Sequence, residues 1–187
     1  MRISKDPEVR KREIVDAAMK VFAENSYESV SMADIAKAVQ VVPGLCYRYF
    51  RSKQELYEYT LSLYAGECSA PLAGIMDRAE SVADCMEALA RHLESGMDKE
   101  QYTSFFHKEG NEHFHYELDL RMAELLQPHL TDLLERLGIC PEDSPRQRET
   151  RAAFILHGQM PVINDTSMSA AERIGLVTPL ILKLLEP

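Results

Sequence analysis

The sequence predicts an all-α protein of about nine helices in two domains, and three observations support that prediction. First, apolar residues recur at helical spacing along most of the 187 residues, and no stretch alternates convincingly with the period of a β-strand. Second, explicit helix-start signals precede several of these segments. Third, the charge is uneven: residues 1–56 hold 10 Lys and Arg against 8 Asp and Glu, net +2, whereas residues 57–187 hold 11 against 22, net −11.

The first three predicted helices are short and closely spaced. Asp6 and Pro7 supply an N-cap followed by a proline at the first helical position. Ser31 and Asp34 form a pair like a capping box, which starts a second helix of about two turns. Pro43 starts a third helix after a turn of about four residues. Short helices arranged in this way have helix-turn-helix organisation, although spacing alone also fits a hairpin in an ordinary helical bundle.

The later helices are predicted from the same kinds of signal. Ser52 and Glu55 form a capping box that starts a longer fourth helix, and the segment from Gly66 to Gly74 is predicted to bend or break. Pro128 is expected to kink the long helix that contains it. The remaining helices are predicted over residues 82–93, 111–137, 144–160 and 169–185, the last two opened by capping boxes.

Two stretches carry a resemblance to a known family. Residues 26–36 and residues 43–56, the second ending in Tyr-Arg-Tyr-Phe-Arg-Ser-Lys-Gln-Glu-Leu, resemble the DNA-binding domain of the tetracycline-repressor (TetR) family of bacterial transcription regulators. The resemblance covers roughly the first third of the chain. It implies that the third helix enters the DNA major groove, that Ser31 caps a helix and meets a phosphate, and that Lys53 helps to clamp the backbone. The residues so assigned to DNA are Ser31, Pro43, Gly44, Leu45, Tyr47, Arg48, Tyr49 and Lys53.

The sequence departs from the family's pattern at the start of the third helix. Val42 and Pro43 stand where the family often has Ser followed by Lys or Arg, which removes a capping hydroxyl and a cation. The tip formed by Gly44, Leu45 and Cys46 is therefore predicted to be mostly apolar, with thymine methyl groups and DNA shape replacing some hydrogen bonds. A flexible basic arm is expected either to add phosphate or minor-groove contacts or to be a solvated face. Its residues are Arg2, Lys5, Arg10, Lys11 and Arg12.

The resemblance divides the chain into a DNA-binding domain, residues 1–52, and a helical domain for ligand binding and dimerisation, residues 53–187. The apolar faces of the last two helices, which include Ile155, Leu156, Val177 and Ile181, are predicted either to form a four-helix dimer interface or to close an internal core. The predicted pocket residues are His92, Tyr102, Phe105, Phe106, His107, His115, Tyr116 and His157.

Other classes of protein and site are disfavoured by missing patterns. No catalytic motif is present, so the chain is predicted not to be an enzyme and to need no cofactor. His113 and His115 lie about 200° apart around a helix, and no H-x-x-x-H spacing occurs, so no metal site is assigned. No apolar run approaches the roughly 18 residues of a membrane span, so a cytoplasmic protein without a membrane partner is expected. The four cysteines form no C-x-x-C pair and are predicted to be reduced, buried thiols.

Together these patterns predict a homodimeric, ligand-responsive transcription regulator that binds a palindromic operator on double-stranded DNA. It is predicted to be a repressor because most members of the resembled family repress. A small apolar or aromatic effector is expected to release it from DNA. The alternatives are a metal-responsive sensor and a helical dimeric scaffold whose DNA binding is weakened by Val42 and Pro43.

Overall fold

The computed structural model describes residues 6–25, 27–95, 112–165 and 167–186. Eight α-helices and no strand are found in these ranges, which confirms the all-α class and differs slightly from the predicted number of about nine. None of these helices is long and apolar enough to span a bilayer. The helices are α1 (Pro7–Glu24), α2 (Met32–Ala38), α3 (Pro43–Tyr49), α4 (Lys53–Arg78), α5 (Val82–Glu94), α6 (Glu112–Arg136), α7 (Pro145–Ile163) and α8 (Ala170–Leu184).

The described residues form two compact units. The first unit contains residues 6–25, 27–64 and 112–116, and the second contains residues 65–95, 117–165 and 167–186. The first boundary between the units lies between Tyr64 and Ala65, inside α4. The predicted boundary between functional domains lies earlier in the chain, between residues 52 and 53. Both α4 and α6 contribute residues to each unit.

The predicted interruption at Gly66 to Gly74 is wrong, because α4 continues through Pro71 as far as Arg78. Glycine and proline lower helix propensity locally, but packing of an apolar face outweighs that cost when the helix is buried. Cys68 and Met76 are buried on this part of α4. The end of the helix is also held, since the guanidinium of Arg136 donates to the backbone oxygens of Met76 at 2.9 Å and Ala79 at 2.6 Å.

In the first unit, α2 packs against both α1 and α3. The apolar face of α1 is fully buried, and Phe50, just after α3, is buried with it. The Thr60 hydroxyl is also buried, and it donates to the Leu56 oxygen at 2.7 Å, so its polar group is satisfied. The largest fully buried side chains of this unit are Phe22, Phe50, Ile14, Met19, Ile35 and Leu56.

In the second unit, α8 packs against α7 and α5 around an apolar core. Ile155, Leu156, Val177 and Ile181 are buried in that core, so these residues close the unit internally rather than forming a dimer face. The predicted capping boxes at Ser144 and Ser169 are both present. All four cysteines, Cys46, Cys68, Cys85 and Cys140, are buried and unpaired with one another, as the sequence predicted.

The turn between α2 and α3 is a Schellman motif. The Val41 amide donates to the Ala36 oxygen at 2.9 Å, and the Gln40 amide donates to the Lys37 oxygen at 3.1 Å. Gln40 has a φ of 59°, in the left-handed region that usually requires glycine. The same motif ends α6, where Ile139 donates to Leu134 and the left-handed position is a glycine, Gly138, with a φ of 65°. The chain therefore carries a strained residue in the turn that orients α3.

We expect Gln40→Gly to raise the free energy of unfolding by about 0.5 to 1 kcal/mol, because glycine removes the left-handed strain and a glutamine side chain makes this conformation costly. Thermal or urea unfolding measures the change. Gly138→Ala is the matched control at the equivalent position of α6 and should lower stability by about 1 kcal/mol. A Gln40→Gly protein no more stable than the wild type would contradict the assignment of strain.

Candidate nucleic-acid interface

Helix α3 has one buried side and one exposed side. The Cys46 side chain is completely buried and anchors the helix, while Leu45 and Tyr49 are half-buried beside it. The opposite side is solvent-exposed and consists of Pro43, Gly44, Tyr47 and Arg48. Four of the predicted DNA-binding residues therefore lie on one accessible surface, which has the form of a recognition helix.

The predicted apolar tip needs a correction. Cys46 was expected at the tip, but it faces the interior because it occupies the inward position of a single helical turn. Val42 takes its place on the surface, with 71% of its side chain exposed. Val42 is also the N-cap of α3, and its side chain makes no capping hydrogen bond. The exposed start of α3 is thus formed by Val42, Pro43 and Gly44.

Tyr47 and Arg48 are the polar groups of this surface. Both are exposed, and neither makes a hydrogen bond or ion pair with another residue in the part of the chain that the structure describes. A tyrosine hydroxyl donates one hydrogen bond, and a guanidinium presents a planar set of donors that suits phosphate or the edge of guanine. The assignment of these two side chains to DNA contacts stays a prediction.

Ser31 forms hydrogen bonds within the start of its own helix. The Asp34 amide donates to the Ser31 hydroxyl at 3.3 Å and the Ser31 amide donates to the Asp34 carboxylate at 2.9 Å, which completes the predicted capping box. The Ser31 hydroxyl also donates to that carboxylate at 2.6 Å. The hydrogen bonds from Ser31 lower the pKa of the Asp34 carboxyl below its usual value. The contact of Ser31 with a phosphate stays a prediction, and it requires the hydroxyl proton to change acceptors.

Lys53 contacts the loop between α1 and α2. Its ammonium donates to the backbone oxygens of Tyr27 at 2.7 Å and Glu28 at 3.5 Å, and it lies 4.2 Å from the centroid of the Tyr27 ring. These contacts brace the loop from the N-terminus of α4. The phosphate clamp that the resemblance assigns to Lys53 stays a prediction, and a second role in holding the loop is now added to it.

The start of α4 is capped differently from the pattern predicted. The Glu55 amide donates to the Ser52 hydroxyl at 3.0 Å, as a capping box requires. The Glu55 carboxylate, however, accepts from the amide of Arg51 at 2.6 Å, one residue earlier than Ser52. The serine cap is confirmed, while the return arm of the box is shifted by one residue.

Three residues of the predicted basic arm belong to α1. Arg10 pairs with Glu13 at 2.7 Å, and Arg12 pairs with Asp16 at 3.0 Å. The Lys11 ammonium lies 3.8 Å from the centroid of the Tyr59 ring. These cations are ordered by neighbours in the first unit, so the prediction of a flexible arm is wrong for them. Arg2 and Lys5 lie outside the described residues.

The predicted pocket residues are only partly described. His92 on α5 and His115 on α6 are half-buried, whereas Tyr116 and His157 are exposed. Tyr102, Phe105, Phe106 and His107 lie outside the described residues, so their assignment stays a prediction. Among the residues that the structure describes, no group of three or more His, Cys, Asp or Glu side chains could hold a metal ion.

One partly buried carboxyl in the second unit escaped the sequence analysis. The Asp119 carboxylate on α6 accepts a hydrogen bond from the side-chain amide of Asn164, at the end of α7, at 2.5 Å. Burial raises the pKa of Asp119 from 3.8 to about 7, although the hydrogen bond from Asn164 acts in the opposite direction. The two residues are 45 positions apart. No local spacing could therefore have identified the pair.

We expect Lys53→Met to lower the free energy of unfolding by about 1 to 2 kcal/mol, because the variant keeps the apolar stem but loses a charged hydrogen bond to the loop. Chemical denaturation measures the loss. Arg51→Met removes an exposed cation two residues away and should change stability by less than about 0.5 kcal/mol. Equal effects of the two substitutions would show that the loop does not depend on Lys53.

We expect Asp119→Asn to raise the free energy of unfolding more at pH 8 than at pH 5. The difference between the two pH values should be about 1 to 2 kcal/mol after allowance for solvent screening. A carboxyl whose pKa is higher in the folded state holds its proton there between about pH 4 and pH 7, so its contribution to stability falls as the pH rises through that window. Unfolding curves at several pH values measure the difference.

Asp132→Asn removes a charge from an exposed position of the same helix and controls for that loss. If the stability difference between Asp119→Asn and the wild type is the same at pH 5 and pH 8, the raised pKa of Asp119 is refuted.

Comparisons with known proteins agree with this geometry. The family model described as bacterial regulatory proteins, tetR family, matches residues 14–60. The transcriptional regulator BetI of Rhizobium meliloti is 31% identical over 83 residues, covering 44% of this chain and 41% of BetI. The transcriptional repressor BdcR of Escherichia coli is 29% identical over 87 residues, covering 44% of each chain. The chain thus spans less than half the length of these relatives.

Solved structures share the fold over almost the whole chain. A TetR-family regulator from Mesorhizobium loti has a TM-score of 0.67 at 19% identity, covering 97% of this chain and 98% of its own. FadR from Bacillus subtilis, solved in complex with stearoyl-CoA, has a TM-score of 0.58 at 17% identity, covering 93% and 97%. These similarities establish a common architecture.

The first unit has the helix-turn-helix arrangement, with α3 exposed on one side, that is typical of DNA-binding domains. Residues 14–60, which contain α2, α3 and parts of α1 and α4, are the part of the chain that matches the tetR family of bacterial regulatory proteins. The resemblance seen in the sequence is therefore confirmed. Both matched relatives are named as transcription regulators.

Proposed function

We propose that this protein regulates transcription as a homodimer that binds a palindromic operator and releases it when a small apolar or aromatic molecule binds the second unit. The observation that carries the proposal is the accessible face of α3, where Pro43, Gly44, Tyr47 and Arg48 are exposed beside a buried anchor, Cys46. A short helix presented in this way fits the major groove, which is wide enough to admit an α-helix.

Gly44 supports the proposal because the fold does not require a glycine there. A Cβ added to Gly44 would meet no other atom within 4 Å, and the position has no left-handed φ. Glycine therefore weakens α3, and nothing inside the protein requires a glycine at this position. Its absent side chain leaves room for another molecule to approach the helix closely, as a DNA base or sugar does in a groove.

The dimer is proposed on the outward faces of α7 and α8. Phe154 on α7 is 66% exposed, and Leu176 and Leu180 on α8 are 54% and 60% exposed. Cβ atoms added at Gly158 and Gly175, on the same two helices, would meet nothing within 4 Å. Large apolar groups beside small residues suit close packing of helices, and burying them removes apolar surface from water. A two-fold copy of this helix pair would form a four-helix interface.

Release by an effector is proposed because two helices belong to both units. A ligand that shifts α4 or α6 in the second unit also moves residues 53–64 or 112–116 in the first. A coupling of about 1 to 3 kcal/mol corresponds to a roughly 5- to 150-fold change in DNA affinity. The same fold holds an acyl-CoA in FadR. An apolar effector is consistent with that example. Repression is proposed because the relative BdcR is named as a repressor.

The test is to select bound sequences from a pool of random DNA duplexes, together with light scattering for the oligomeric state. We expect the wild type to be a dimer at micromolar concentration and to enrich an inverted repeat with half-site centres roughly 34 to 36 Å apart, since two recognition helices must meet one face of the duplex. Failure to enrich any duplex, or weak binding insensitive to salt, would overturn the proposal and favour a scaffold without operator binding.

Leu180→Glu is expected to convert the dimer into a monomer and to abolish enrichment of the paired half-sites, because a buried unpaired charge is strongly unfavourable in an interface. Leu125→Glu is the control, since Leu125 is an exposed leucine on a different helix, α6. If both variants remain dimeric, the proposed interface is wrong, even if DNA binding is observed.

A further inference from the structure

The first turn of α3 is built from residues that do not favour the helix. Val42 occupies the N-cap without a capping hydrogen bond, where Ser, Thr, Asp or Asn would provide one. Gly44 follows two positions later, although no left-handed φ or close neighbour demands a glycine. By contrast, α2, α5, α7 and α8 all begin with a serine whose side chain accepts a hydrogen bond. Local stability therefore does not explain the residues that begin α3.

The same turn exposes an unusually large fraction of an apolar side chain. At 71%, Val42 is more exposed than any other large apolar side chain in the described ranges. It adjoins the accessible face of α3, next to Pro43 and Gly44. None of these three residues has a side chain able to donate or accept a hydrogen bond, and the proline lacks a backbone N–H as well. The side chains of this surface can offer only shape and apolar contact to a partner.

Only one base presents an apolar group in the major groove, and that group is the C5-methyl of thymine. On the basis of the proposed function, we propose that Val42 recognises a thymine in each half of the operator through its C5-methyl, with Gly44 allowing the close approach. Recognition of the base by the first turn then uses no side-chain hydrogen bond. Tyr47 and Arg48, one turn further along the same face, supply the polar contacts.

This assignment explains why valine replaces a capping residue at position 42. A serine or threonine there would accept the free amides of the first turn, and its hydroxyl would then lie at the point where a thymine methyl approaches. A valine gives up the cap and keeps a fully apolar surface against the methyl group. Valine at position 42 therefore lowers the stability of α3 and, in this proposal, favours thymine at the contacted position.

The test uses the duplex enriched by the wild-type protein, remade with deoxyuridine in place of one thymidine at a time. This exchange removes only the C5-methyl and keeps the base pair. We expect one position in each half-site at which the exchange weakens binding by about three- to tenfold, the size of the loss of one buried methyl contact. Fluorescence anisotropy with a labelled duplex measures each dissociation constant.

The penalty should depend on position 42 alone. In Val42→Ala the same exchange should change affinity by less than about twofold, because the side chain that meets the methyl is gone. Val9→Ala removes another exposed valine of the first unit and should retain the full penalty. Thermal unfolding of all three proteins, with Val42→Ser as a better-capped fourth, checks that weaker binding does not come from unfolding.

The outcomes separate this inference from the function on which it rests. If the wild type enriches no duplex, the proposed function fails and the inference fails with it. If a duplex is enriched but no thymidine shows a penalty, the methyl contact alone is overturned and regulation of DNA stands. A penalty of equal size in the wild type and in Val42→Ala would show that another residue meets the methyl, and would also overturn the inference.

Discussion

A helix of seven residues is too short to be stable by itself, so the position of α3 depends on its contacts with the rest of the first unit. At one end, the Schellman turn through Gln40 joins it to α2. In the middle, the buried Cys46 ties it to the core. At the other end, Phe50 is buried, and its ring centroid lies 5.4 Å from that of Tyr59 on α4. With three anchors on one side, the opposite side is free to face a ligand.

Tyr27 plays a comparable part for the loop between α1 and α2. Its ring centroid lies between 5.2 and 5.3 Å from those of Phe22, Tyr57 and Phe114, and the Lys53 ammonium lies over the ring. One aromatic side chain thereby joins α1, α4 and the first turn of α6. Rings packed at these distances hold orientation as well as bury area. The loop that leads into α2 is fixed from three helices at once.

The sequence predicted the features that depend on near neighbours. Capping boxes at Ser31 and Ser169 involve residues three apart, and both occur as expected. The prediction failed where distant packing outweighed a local signal, as in the unbroken α4 through Pro71. Pro43 begins α3 as predicted, but a sequence motif does not specify which way each side chain points. It could not reveal that Cys46 points inward, that Lys53 holds the Tyr27 loop, or that Asp119 meets Asn164.

The buried Cys46 thiol has a practical consequence. Desolvation raises the pKa of this thiol, so the reactive thiolate is scarce and shielded while α3 is docked. A thiol-labelling reagent can reach it only when the helix detaches from the core. The rate of labelling at Cys46 therefore reports the free energy of that local opening, provided that labelling is slow compared with reclosure. Cys46 is therefore a native probe of how often α3 detaches from the core, and no cysteine has to be introduced for the measurement.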